Sequence, residues 1–164
     1  MELITTIKLE NKSGPRHLTF SNDKKTIYVV TEMSNEIYVY HKEKNEFKLQ
    51  QKISTLLDNK IKSYAGAIKI SKDNKNIYVT NRGHNSISVF ANQEGYLKLI
   101  QSVPSYGEFP RDITLNKSEE YVLVANQNSN NIVVYKRDLR NGTLVKIQSE
   151  NLQSPSCIVR SRYE

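Results

Sequence analysis

The sequence predicts an all-β protein built from tandem four-stranded antiparallel units, on three observations. The chain aligns with itself. "LTFSNDKKTIYVVTEMSNEIYVY" (Leu18 to Tyr40) matches "IKISKDNKNIYVTNRGHNSISVF" (Ile68 to Phe90) without a gap at an offset of 50, and "ITLNKSEEYVLVANQNSNNIVVY" (Ile113 to Tyr135) follows at an offset of 45. Each copy alternates β-branched and aromatic runs with polar turns rich in Asn, Asp, Ser and Gly, the pattern of half-buried strands and tight connections. Ten tyrosines stand against four phenylalanines and no tryptophan. That suits sheets whose rings pack while their hydroxyls stay near water.

Taken in order, residues 1–13 carry "ELITTIKLE", which reads as the outer strand of a preceding unit. Residues 14–54 hold three strands of the repeat and a fourth, "FKLQQKI". Residues 65–103 repeat the pattern and end in "YLKLIQSV"; residues 109–150 repeat it again and end in "TLVKIQSE". Four short strands in roughly 45 residues is the period of a β-propeller blade. Residues 154–160, "SPSCIVR", place Pro155 at an offset of 45 from Pro110 and read as a closing inner strand. Three blades are too few for a ring, which takes roughly 4–8. The sequence is therefore expected to lack N-terminal blades, or to assemble as a homo-oligomer that covers its open faces.

Composition bounds the function. Of 164 residues, 37% are hydrophobic and 25% charged, as in a soluble globular domain. No apolar run approaches the roughly 20 residues of a membrane span. The start lacks the basic and apolar regions of a signal peptide, so a cytoplasmic protein is expected. Cys157 is the single cysteine, which excludes an intrachain disulfide and Cys-x-x-Cys zinc sites; it is expected to be a small buried hydrophobe. The formal charge of +7 permits an anionic partner. The lysines are scattered through turns, without a basic run or an aromatic-glycine signature, so no nucleic acid is expected. Three histidines and no convergent acidic cluster predict no metal. No cofactor is expected, and no Gly-x-Ser-x-Gly elbow marks a nucleophile.

The turn "TNRGHNS" (Thr80 to Ser86) holds more than a hairpin needs, because Arg82 and His84 flank its glycine. In a four-stranded blade, the loop entering the first strand and the loop joining the second and third open on one face near the axis. Arg16 and Arg111 occupy the same place before the first strand of units one and three. Glu32 and Arg82 occupy the same place after the second strand of units one and two. The repeat thus sets Arg16, Glu32, Arg82 and Arg111 on one rim, where the planar fork of arginine suits phosphate or carboxylate. A carboxylate between arginines is expected to ionise readily and to act as a base. His17 and His84 suit proton transfer near neutral pH, or bond their own turns. Asn81, and Asn126 with Gln127 in unit three, would offer the channel amides. Asp112 would orient Arg111, and His41 would be solvated on an outer turn.

Three phrases carry a resemblance: "GPRHLTF" (Gly14 to Phe20), "NRGHNSISVF" (Asn81 to Phe90) and "FPRDITL…VANQNSNNIVVYKRD" (Phe109 to Asp138). Together they resemble the C-terminal part of the bacterial lactonase family of seven-bladed propellers, over about three blades. The resemblance implies hydrolysis of an anionic sugar lactone such as 6-phosphogluconolactone. It implies that Arg16 and Arg82 bind the substrate or steady charge on its carbonyl oxygen. Glu32, in "TEM" where the family has an Asn-Glu-Leu-like phrase, would be the general base or acid. His17 joins them as a catalytic candidate; Arg111, His84, Asn81 and Asn126 are the substrate-binding candidates. The family also carries a Pro-His-x-His-like phrase upstream of the Gly-Pro-Arg-His phrase, which nothing in residues 1–13 matches. The resemblance therefore implies half a constellation and no activity from this chain alone. "YVTN" (Tyr78 to Asn81) is similar to the signature of surface-layer propeller repeats, which implies a binding or scaffold propeller as the alternative.

Overall fold

The structure is a computed structural model and describes residues 5–58 and 60–161. It holds three four-stranded antiparallel sheets, each a meander in chain order. Blade 1 comprises β1 (Pro15–Phe20), β2 (Thr26–Thr31), β3 (Glu36–Glu43) and β4 (Glu46–Ser54). Blade 2 comprises β5 (Tyr64–Ile70), β6 (Asn76–Arg82), β7 (Ser86–Gln93) and β8 (Tyr96–Pro104). Blade 3 comprises β9 (Pro110–Leu115), β10 (Tyr121–Asn126), β11 (Asn131–Arg137) and β12 (Leu144–Asn151).

The internal repeat extends to backbone detail. Asn35, Asn85 and Asn130, equivalent by the offsets, sit at φ of 54°, 56° and 54° in the turns between second and third strands. Asparagine tolerates this left-handed region better than most side chains. Each of these carbonyls accepts a bond from just past the fourth strand, at Thr55, Ser105 and Leu152 (2.8, 2.8 and 2.9 Å). The outer strand of each blade is thereby tied back to the central turn. A bulge recurs at the same place in all three blades, after Val39, Val89 and Val134. It adds local twist to the outer strand.

The core lies in the seams between blades. Tyr28, Val30, Ile37 and Val39 of blade 1 pack against Ala65, Ile77, Val79 and Phe90 of blade 2. The opposite face of blade 2, with Tyr78, Ile87 and Val89, packs against Ile113, Val122, Val124 and Tyr135 of blade 3. Glutamines on the outer strands latch both seams. Gln51 donates to the carbonyl of Leu97 (2.9 Å) and accepts from its N–H (2.7 Å); Gln101 does the same with Leu144 (3.0 and 2.8 Å). Polar links deepen the second seam, where the Tyr78 hydroxyl donates to the Gly142 carbonyl and accepts from Arg137 Nε (2.6 Å).

Both chain ends depart from the sequence reading. Residues 5–13 form no strand, because among the described residues no sheet edge pairs with them. They lie over the outer face of blade 1, where Ile7 and Leu9 pack on the cluster of Ile27, Val29, Tyr38 and Tyr40. Glu10 pairs with Lys52 at 2.9 Å. Residues 1–4 of the expected strand lie outside the described residues. Residues 154–160 likewise form no strand, but are tethered by Ser154 N–H to Asn130 Oδ1 and by Ile158 N–H to Asp112 Oδ2 (both 2.9 Å). Without a neighbouring strand to cover it, Cys157 is exposed rather than buried. His41 is half-buried in β3 and bonds Thr26 Oγ1 at 3.1 Å, so it is not a solvated turn residue.

Candidate functional site

The entrances to β1, β5 and β9 and the turns β2–β3, β6–β7 and β10–β11 share one end of the blades, as antiparallel meanders require. Glu32 is fixed there by its backbone, whose N–H donates to Gly14 O at 2.7 Å. Gly14 makes this approach possible: it sits at φ +68°, and a Cβ there would stand 2.7 Å from Met33 Cγ. The Glu32 carboxylate then meets two guanidiniums, Arg82 Nη2 at 3.0 Å from Oε1 and Arg16 Nε at 3.7 Å from Oε2.

The two arginines differ in setting. Arg82 is walled in, with its side chain 5% exposed. Besides Glu32 it donates to the Tyr64 and Ala65 carbonyls (3.2 and 3.0 Å) and lies over the Phe109 ring at 5.1 Å. Gly66 creates that slot, since a Cβ there would collide with Thr80 Oγ1 and stand 3.5 Å from Arg82 Nε. Arg16 is less enclosed, its side chain 15% exposed. Burial, and then the like charge of Arg82, hold its guanidinium below its ordinary basicity. Burial, and then Arg16, also pull the adjacent His17 imidazole below its ordinary value of 6.5. Both effects favour the neutral imidazole over the imidazolium.

Arg111 repeats the geometry of Arg16 in blade 3. Its Nη1 donates to Gln127 Oε1 at 3.1 Å, an amide standing where blade 1 has Glu32. Asp112 does not orient it. The Asp112 carboxylate turns inward and accepts the N–H groups of Ile113 and Ile158 (both 2.9 Å).

The remaining sequence candidates bond elsewhere than to Arg16, Glu32 and Arg82. Asn81 is fully buried and its amide donates to Thr55 O, Ser86 Oγ and Ser88 Oγ (3.3, 3.1 and 2.9 Å). Asn126 is fully buried and donates to Ser105 O at 3.1 Å. Each ties the end of its second strand to the residue just past the fourth strand of the preceding blade, Thr55 or Ser105, and so works in the seam between blades. His84 bonds Ser86 Oγ within its own turn at 2.8 Å. Sequence reasoning missed two features, the slot at Gly66 and the pairing of Gln127, expected only to offer the channel an amide, with Arg111. The signal for both lay in the repeat, where Gly66 stands in register with Arg16 and Arg111, and Gln127 with Glu32 and Arg82. A crevice of about 890 Å³ opens at the other end of blades 1 and 2, lined by the β1–β2 and β5–β6 turns, His41 and Tyr96. It is remote from Glu32.

Residues 1–160 match the family described as Lactonase, 7-bladed beta-propeller. The chain is 40% identical to a 6-phosphogluconolactonase of Formosa agariphila over 149 residues, which are 88% of this chain and 42% of the relative. It is 35% identical to a Bacillus subtilis 6-phosphogluconolactonase over 152 residues, 89% of this chain and 44% of the relative. Among solved structures, the periplasmic gluconolactonase PpgL of Pseudomonas aeruginosa superposes with a TM-score of 0.86 at 32% identity, over 92% of this chain and 43% of that one. The chain thus spans less than half the length of the curated relatives it matches. Family match, blade architecture and the identities agree: the chain belongs to the lactonase family of seven-bladed β-propellers.

Proposed function

We propose that the rim of Arg16, Glu32 and Arg82 serves hydrolysis of an anionic sugar lactone, 6-phosphogluconolactone being the substrate named by two relatives. The observation that carries this reading is the Glu32 carboxylate bridging Arg82 at 3.0 Å and Arg16 at 3.7 Å. Lactone opening requires a base to take a proton from water as its oxygen bonds the carbonyl carbon. It also requires positive charge beside the oxyanion that forms, and a proton for the ring oxygen when the C–O bond breaks. Glu32, with its side chain 36% exposed, or the adjacent His17 takes the first proton. Arg16 faces the oxyanion, and buried Arg82 holds the carboxylate in place. No metal or cofactor is required by these steps. The reading sets the protein in the cytoplasm, in carbohydrate metabolism.

On this reading the chain supplies part of the catalytic ring. It binds the reaction product without adding appreciably to spontaneous lactone opening, because it spans less than half the length of the relatives that carry the name. Calorimetric titration with 6-phosphogluconate, beside a pH-stat assay on 6-phosphogluconolactone, tests it. Binding that weakens by about tenfold in Arg16→Gln, the scale of one charge-assisted contact, supports the proposal. Absence of binding, or binding indifferent to that substitution, removes it.

A further inference from the structure

We propose that Arg111 reads the phosphate of the ligand and so separates a phosphorylated sugar lactone from an unphosphorylated one; this rests on the lactonase reading above. Blades 1 and 3 carry the same pair, an arginine at the entrance to the first strand and a partner at the end of the second. In blade 1 the partner is Glu32, which answers Arg16 and also Arg82. In blade 3 it is Gln127, which reaches Arg111 at 3.1 Å with no charge. Glutamine keeps the length and the accepting oxygen of glutamate and deletes its negative charge.

The nearest acid in sequence does not restore that charge at the guanidinium. Asp112 is buried and both its oxygens take backbone N–H groups. Arg111 enters no ion pair among the described residues, whereas Arg16 and Arg82 both do. Arg111 also faces the same space, since its charge acts on Arg16 after those of Arg82 and Glu32, with a smaller opposing effect from Asp112. The close approach of Pro110 O to Gly66, 3.1 Å from where a Cβ would lie, keeps the entrance of β9 beside that of β5. Two rim guanidiniums thus share one carboxylate, and the third is oriented by an amide with no carboxylate of its own. Such a planar, pre-oriented fork fits a dianionic phosphate, leaving the sugar's carbonyl end to Arg16 and Glu32.

The test compares wild type, Arg111→Gln and Gln127→Glu as full chains, by calorimetry with 6-phosphogluconate and with gluconate. NMR of arginine Nε–Hε resonances during titration with inorganic phosphate runs beside it. Gln127→Glu is nearly isosteric and installs a competing carboxylate at Arg111, so it removes the free charge while leaving the fold intact; thermal melting verifies this. Wild type is expected to prefer 6-phosphogluconate, each variant to cut that preference about tenfold to hundredfold, and the Arg111 resonance to shift with phosphate. A preference that persists in both variants overturns the assignment and leaves the lactonase reading standing. Phosphate binding at Arg111 with neither sugar acid bound keeps the assignment as an anion site and removes the lactonase reading. An Arg111 resonance unmoved by phosphate, with neither sugar acid bound, removes both.

Discussion

Arg137 and Arg82 show two uses of a buried guanidinium. Arg82 faces the rim and holds a carboxylate, whereas Arg137 is enclosed between blades 2 and 3. It donates to Tyr78 Oη (2.6 Å) and Asn76 Oδ1 (2.9 Å), with Glu119 at 3.9 Å. Tyr78 accepts from Arg137 and donates to Gly142, so it must remain a neutral phenol. Burial pushes its pKa from the ordinary 10.0 up to about 12, against the opposing pull of Arg137. A folded-state value above the unfolded one means stability that is whole below pH 10 and drains away as pH rises toward 12. Urea midpoints measured across that interval should fall steeply for wild type and more gently for Tyr78→Phe. Equal slopes would mean that Tyr78 does not govern the alkaline limit.

At the level of strands and turns, much of the molecule was legible because the repeat writes each blade three times. Half-buried strands announce themselves by β-branched and aromatic runs, and their turns by asparagine at positive φ. The two ends were not legible in the same way: "TTIKLE" and "SPSCIV" have strand-like residues, but a strand exists only where an edge accepts its ladder. The rim was legible in part. Arg16, Glu32 and Arg82 come together as their register requires, since loop positions in register share a face. Asn81 and Asn126 stand one residue before Arg82 and Gln127, where the end of the preceding blade's fourth strand meets and buries them. Gly66 shows what a pattern of charged residues hides, because the informative residue is the one with no side chain. Gly66→Ala should destabilise the chain by about 1–3 kcal/mol through overpacking against Thr80. It should also displace Arg82, read as a chemical-shift change at Glu32. Urea unfolding unchanged in that variant would show that the slot tolerates a methyl group.

For the molecule as a whole, the seams are closed and the end faces are not. The outer face of blade 1 carries Ile7 and Leu9, but the far face of blade 3 leaves Val145 67% and Ile147 50% exposed beside half-exposed Tyr121. Apolar surface on a sheet face drives association. Light scattering should return a mass above 18.9 kDa that grows with concentration, and Val145→Lys combined with Ile147→Lys should return it toward the monomer. A monomer at every concentration in wild type would show that the face is tolerated in water.

The glutamine latches have a second effect. Gln51 and Gln101 occupy the outward N–H and C=O of Leu97 and Leu144, groups on the outermost strands of blades 2 and 3. An outermost strand with such groups unoccupied is a template on which a foreign strand can add, the first step toward amyloid-like growth. Gln148, in register with Val134 as Gln51 is with Val39 and Gln101 with Val89, turns instead to Glu150 of its own strand at 2.8 Å. The side chains that stack one blade on the next thus also deny aggregation its foothold on the edges of blades 2 and 3.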